Sequence, residues 1–322
     1  MIQRETGMAH RPIAEGSDIE VSVVGLGANN FGRRVDLDRT RAVVEAALDA
    51  GITLIDTADI YGGQGRSESF LGEVLRGRRD RVVLATKFGG DMGTLYGDDV
   101  GPRGSRRYLK QAVEGSLRRL QTDHVDLYQY HFRDGVTPIE ETLEALDELI
   151  REGKVRAIGS SNMTGAQVVE ADAVARRSGL RPFSTAQNQY SLLERGVERD
   201  VAPKCRRLGI GLIPYFPLAS GLLTGKYRRG EPAPEGARLA GRQDVLTDET
   251  FDRLEGLQRF ADERGVSMLE VAIGWLASRP AVVSVIAGAT RPEQVRANAA
   301  AVAWTPTEAD IREIDAILPR PG

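Results

Sequence analysis

Eight short runs of β-branched and apolar residues, each followed by a helix-patterned stretch, predict an α/β chain folded as a (β/α)8 (TIM) barrel. Two further observations point the same way. The 322 residues suit a barrel, which takes ~250 residues plus insertions. Two long polar loops each follow a strand, which puts them at the face where barrels build their sites. A doubly wound open sheet is the alternative reading of the same alternation.

The strands read at 20–27 (EVSVVGLG), 51–57 (GITLIDT), 81–88 (RVVLATKF), 124–132 (HVDLYQYHF), 155–161 (VRAIGSS), 183–190 (FSTAQNQY), 209–218 (GIGLIPYFPL) and 282–289 (VVSVIAGA). After the first comes DRTRAVVEAALDAG, in which Val43, Val44, Ala47 and Leu48 form one helical face and Gly51 supplies a stop. SRRYLKQAVEGSLRRLQTD and PIEETLEALDELIREGK repeat the pattern; the second is expected to start with Thr137 as N-cap, Pro138 at the first helical position and Glu140 three residues after the threonine. The long loops are 89–107, after the third strand, and 229–245, after the seventh; 306–317 reads as an extra C-terminal helix. No Pro/Gly/Ser linker interrupts the series, so residues 1–322 are expected to form a single barrel domain.

Composition narrows the function. A formal charge of −3 offers no basic field for nucleic acid or anionic lipid. No apolar run reaches the ~18 residues of a membrane span, and MIQRETGMAHRPIAEG lacks the apolar core of a secretory signal. Cys205 is the only cysteine, which excludes an intrachain disulfide and favours a cytoplasmic setting. With three histidines and one cysteine, a zinc site of the usual ligands is not expected. Gly25, Gly27 and Gly32 suggest a dinucleotide fingerprint, but its third glycine would fall at Asn30, and Asp56 lies too far on for its acidic partner.

The strand ends carry the chemistry. The second ends in Asp56 with Tyr61 just beyond, the third holds Lys87 in an otherwise apolar run, and the fourth ends in His131. Each has an ordinary explanation taken alone: solvated loop charges, a packed turn tyrosine, a core histidine. A barrel brings all four to one pocket. There an ammonium would lower the ~10 of a tyrosine, a carboxylate would hold the ammonium, and a histidine would orient a substrate oxygen. The product is a tyrosine able to protonate an alkoxide forming at a carbonyl.

LIDTADIYG, ATKFG, SLRRLQTDHVDLYQYHFRD, GKVRAIGSSN and AQNQYSLLER, in this order, resemble the aldo-keto reductase family over nearly the whole chain. The resemblance implies a metal-free reductase that takes a small carbonyl substrate and uses NADPH, with Asp56, Tyr61, Lys87 and His131 as its catalytic tetrad. It further implies that Ser161, Asn162 and Gln187 hold the nicotinamide carboxamide and that Tyr215 stacks on the ring. Leu218, Ser220, Gly221, Leu222, Thr224 and Lys226 are similar to the family's pyrophosphate segment. Gly288, Thr290, Arg291, Gln294 and Asn298 are similar to the residues around the adenosine 2′-phosphate and adenine. Two departures stand out. Gly288 and Gln294 occupy positions where members with strong NADPH preference carry Lys and Arg, which leaves Arg291 as the expected cation and NADH as an open alternative. The first strand is followed by Asn29, Asn30 and Phe31, a polar start; Asn30, Phe31, Phe88 and Phe132 are expected to line the substrate pocket. Two rival functions fit the barrel: a cofactor-binding sensor or regulatory subunit with little turnover, and a sugar-phosphate lyase or isomerase sharing the phosphate site at strand eight.

Overall fold

The structure, a computed structural model, describes residues 7–97 and 99–319. It opens with an antiparallel hairpin of β1 (His10–Pro12) and β2 (Glu20–Ser22). The barrel follows, in strand order β3 (Val24–Gly27), β4 (Leu54–Asp56), β5 (Val83–Phe88), β6 (Val125–Tyr130), β7 (Val155–Ser161), β8 (Thr185–Gln189) and β9 (Gly211–Tyr215), with β10 (Val285–Gly288) beside β3. The parallel β10–β3 register, Val285 opposite Val24 and Gly288 opposite Gly27, joins last strand to first, and with β9 bridged to the segment before β10 the sheet is nearly closed into a barrel rather than left open. Among the described residues β9 and β10 share no ladder; β9 instead makes an isolated bridge, Leu212 to Val282, with the segment just before β10.

The run 20–27, expected to be one strand, is two. Ser22 Oγ donates to Val24 O and accepts from Thr53 N, which turns the chain from hairpin to barrel at Val23. The hairpin thereby plugs the barrel floor, where Ile13, Ile19 and Val21 pack against Leu54, Val83, Leu127, Ile213 and Ile286.

Strand side chains alternate between faces. Val83, Ala85 and Lys87 therefore point into the barrel, while Leu84, Thr86 and Phe88 face the helices. Gly25 sits in the interior layer, where an added Cβ would meet Ile286 Cγ2 at 2.8 Å and Leu54 Cδ2 at 3.2 Å. The larger apolar core lies between the outer strand faces and α1 (Leu37–Asp49), α2 (Arg66–Val74), α3 (Arg106–Leu120), α4 (Ile139–Arg151), α5 (Gly165–Arg177) and α6 (Val201–Leu208). It continues under α7 (Asp248–Glu263), α8 (Met268–Ala277), α9 (Pro292–Ala300) and α10 (Glu308–Ile317).

Val43, Val44, Ala47 and Leu48 form the buried face of α1, and Asp36 caps it by accepting from Arg39 N. The expected cap of α4 shifts by one residue. Pro138 is the N-cap and Thr137 instead donates its hydroxyl to Asp134. The extra C-terminal helix is α10, anchored by the buried Arg195, whose guanidinium donates to Leu318 O and pairs with Asp315.

Candidate active site

Three inward positions and one turn assemble the predicted quartet. Lys87 is fully buried, and its Nζ donates to Asp56 Oδ2 at 2.6 Å, to Thr57 O at 2.8 Å and to Tyr61 Oη at 3.4 Å. Tyr61 meets the His131 ring edge-on at 5.8 Å. Asp56, Tyr61 and His131 open onto a cavity of about 630 Å³; Lys87 lies behind them.

The electrostatics follow from burial and this pairing. Burial alone would push the Lys87 ammonium down, but Asp56 and Tyr61 outweigh it and the net displacement is upward. For Tyr61 burial dominates: its hydroxyl moves up, against the pull of Lys87. The expectation of a lowered tyrosine is thus reversed in this cavity, because loss of water costs the phenolate more than one ammonium returns. The Tyr61 hydroxyl is thus held in its protonated form, with the Lys87 ammonium 3.4 Å away. Burial and then Lys87 drive His131 down to about 2, so its imidazole is neutral. Among the described residues His131 Nδ1 is buried without a hydrogen-bond partner.

Asp56 is held from its other side as well. Gln129 Nε2 and Gln187 Nε2 both donate to Asp56 Oδ1, at 2.9 and 2.8 Å. Gln129 is not among the residues that the sequence pointed to. Its signal was a lone amide at inward parity between Leu127 and His131.

The cavity wall takes in most of the other predicted positions. Ser161, Asn162, Gln187 and Tyr215 are on it, with Tyr215 Oη donating to Asn162 Oδ1 at 2.7 Å. So are Leu218, Ser220, Gly221, Thr224 and Lys226, and, from the β10–α9 side, Gly288, Thr290, Gln294 and Asn298. Phe216, Ala219, Ser220 and Gly221 all adopt positive φ. A segment with that much left-handed backbone is strained unless its surroundings fix it, a pattern found at ligand clamps.

Four expected residues lie elsewhere. Phe88 points outward by strand parity and stacks on Tyr130 at 4.8 Å, and Phe31 is wholly buried in the outer core; neither lines the cavity. Leu222 is buried beneath the wall. Arg291 is the exposed N-cap of α9 and is also off the wall. Asn30 and Phe132 do line it, Phe132 stacked on His131 at 4.1 Å, and Phe216 joins them unforeseen.

The wall's cations are Arg34, Arg39, Lys226 and Arg238. Among the described residues none of these four forms an ion pair. Burial, then Arg238, Arg34 and Arg291, push Lys226 down; burial, then Arg34 and Arg33, push Arg238 down. This is positive charge crowded together with no acidic partner among the described residues. The 229–245 loop brings Arg238 there by folding back on the loop after β3: Arg34 donates to Gly236 O and Arg238 to Asn30 Oδ1, each at 3.3 Å. The other long loop, 89–107, contributes nothing to this wall among its described residues (Asp98 lies outside them). Its Tyr96 instead turns to Asp59 and Arg119, beside the buried Glu68–Arg119 pair. Burial and then Glu68 raise the Asp59 carboxyl to about 8.

Barrel and family together define a class: a (β/α)8 enzyme, here with a large cavity at the C-terminal ends of its strands. Residues 23–319 match the model of the aldo/keto reductase family, and the chain belongs to that family. It is similar to the uncharacterized oxidoreductase YrpG of Bacillus subtilis, 38% identical over 94% of each chain. The aldo-keto reductase YhdN of the same organism is 37% identical over 97% of this chain and 94% of its own. A probable voltage-gated potassium channel subunit beta of Oryza sativa is 36% identical over 94% of each. The chain is therefore an oxidoreductase, from a family that typically uses nicotinamide cofactors and acts on carbonyl compounds. Among the described residues no helix is long and apolar enough to cross a membrane.

Proposed function

We propose that this chain reduces small aldehydes or ketones to alcohols, with NADPH as reductant and Tyr61 as proton donor. The observation that carries the reading is the make-up of one cavity: four cations that form no ion pair among the described residues on one part of its wall, and the Lys87-backed Tyr61 with His131 on another. The residues fit a nicotinamide dinucleotide. Tyr215 offers a ring face, Asn162 and Gln187 offer amides, and Arg34, Arg39, Lys226 and Arg238 offer charge for phosphates. When bound, the reduced nicotinamide supplies a hydride to the carbonyl carbon. Tyr61 gives its proton to the carbonyl oxygen, and Lys87 stabilises the phenolate left behind. Asp56 keeps Lys87 charged and aimed. His131, neutral, turns a nitrogen to the substrate oxygen without competing as an acid.

Arg39, rather than Arg291, is the cation for a 2′-phosphate. It sits in the first turn of α1, which packs on α9, and shares the wall with Gln294 and Asn298 of that helix. Residues 229–245 act as a strap over the cofactor, with the protein working in the cytoplasm as one barrel domain. The test is an aldehyde and ketone panel scored by NADPH and NADH consumption, with Tyr61→Phe as control. The variant is expected to lose at least about 100-fold in turnover, the low end for general acid catalysis, with cofactor affinity nearly unchanged. Near wild-type turnover by Tyr61→Phe would refute the assignment.

A second reading is favoured by the channel-subunit relatives: a cofactor-binding regulatory barrel. Tight cofactor binding with no turnover across the panel would select it.

A further inference from the structure

Gln129 takes no part in the scheme above, yet it is fully buried on β6 at the same level as Lys87, its register partner. On its other side the register partner is Gly159. A Cβ at Gly159 would collide with Thr185 Oγ1 and crowd Gln129 Cγ at 3.1 Å. The missing side chain leaves the gap through which Gln129 and Gln187, from strands not adjacent in the sheet, reach each other: Gln187 Nε2 donates to Gln129 Oε1 at 3.1 Å.

The chemistry of Asp56 sets the direction of every bond in this cluster. As the partner of the Lys87 ammonium it is a carboxylate, which only accepts hydrogen bonds. Both glutamines must therefore turn their NH2 groups to its Oδ1, as they do. With its nitrogen committed, Gln129 has its oxygen free to face Gln187. That oxygen takes the second N–H of Gln187, whose first is already on Asp56. Gln187 lines the cavity, and among the described residues the only side-chain hydrogen-bonding atom it has left is Oε1.

We propose that Gln129 is a positioning residue that fixes Gln187 as a pure acceptor toward the cavity. The inference rests on the nicotinamide reading above. Gln187 then accepts from the carboxamide NH2 and refuses a carbonyl oxygen at the same place, so the nicotinamide ring is held in one of its two flipped orientations and one ring face is offered to the substrate. Without Gln129 one N–H of Gln187 is released, and the residue serves either partner.

The probe is a cofactor whose carboxamide NH2 is replaced by methyl. Oxidised NADP and its 3-acetylpyridine analogue are titrated against the protein by quenching of intrinsic fluorescence, a binding measurement independent of turnover. Wild type is expected to bind the analogue about five- to tenfold more weakly, the worth of one neutral hydrogen bond. Gln129→Met, which keeps the volume and removes the amide, is expected to narrow that gap below about threefold. It should also transfer a measurable share of deuteride from the opposite ring face when stereospecifically labelled NADPH is used. Equal affinity of wild type for both cofactors overturns the inference and leaves the nicotinamide reading standing; this arm needs no variant to fold. An undiminished gap and full stereospecificity in Gln129→Met also overturn it. Binding of neither cofactor by wild type overturns both.

Discussion

Replacing Lys87 by methionine removes one charge of a buried pair and keeps the volume. Asp56 is then left 2% exposed with two amide donors on Oδ1 but nothing on Oδ2, where the ammonium had been at 2.6 Å. Breaking a buried ion pair from one side costs about 3–5 kcal/mol. Unfolding entropy near ~2.1 cal/mol/K per residue makes this roughly a 4–7 °C fall in Tm for a chain of this length. On the proposed mechanism, carbonyl turnover is expected to fall by at least about 100-fold, because Tyr61 would lose the cation that stabilises its phenolate. The structure also says which second change repairs the fold without the chemistry. Asp56→Asn keeps an oxygen for Gln129 and Gln187 and puts a neutral NH2 where the unpaired oxygen was. Lys87→Met with Asp56→Asn should therefore recover most of the lost Tm, measured by differential scanning calorimetry, while remaining inactive. If Lys87→Met melts within about 1 °C of wild type, or the double variant melts no higher than the single, the pair is not the buried ionic unit described, and the reasoning fails.

Two further outcomes are expected. Arg39→Ala should weaken NADPH by at least about tenfold, the lower worth of a charged hydrogen bond, and leave NADH alone, whereas Arg291→Ala should change both little; cofactor titrations decide, and the opposite ranking restores Arg291 as the phosphate reader. Asp59, near 4 when unfolded and raised to about 8 in the native state, contributes stability that is fully present below pH ~4 and is lost as the pH rises through about 8. Asp59→Asn should remove this slope, so that its Tm gains on wild type between pH 5 and pH 8; parallel Tm–pH curves would contradict the burial argument.

What the sequence made legible was whatever a period or a strand end announces. Asp56, Lys87 and His131 stood out as polar side chains closing apolar runs, and the structure brings them and Tyr61 together. Phe88 shows the limit of that reasoning: it adjoins Lys87 in the chain, yet the two-residue period sends adjacent side chains to opposite faces, and nearness in sequence misplaced it in the pocket. The 20–27 run hid its break because Val21 and Val24 are equally apolar on either side of the turn that Ser22 makes. Arg34, Arg39 and Arg238 carried no signal, since an arginine in a polar loop looks the same whether it faces solvent or a cavity. Only the fold-back of 229–245 onto the loop after β3 distinguishes them. Gln129 needed both its parity and the vacancy at Gly159, and the second is visible only across three strands.

The incomplete junction between β9 and β10 has a mechanical meaning. A barrel is a hoop, and this one has a clasp: the other neighbouring strands are laced by ladders, while here Leu212 and Val282 form one isolated bridge. Tyr215 and Gly288 stand at the tops of the two strands on either side of that clasp, and both face the cavity. A molecule spanning them laces the gap from above. Were the proposed cofactor to span them, its binding would favour the state in which both walls are in place. On the proposed reading, loss of the bound dinucleotide would leave this junction the least laced part of the barrel among the described residues.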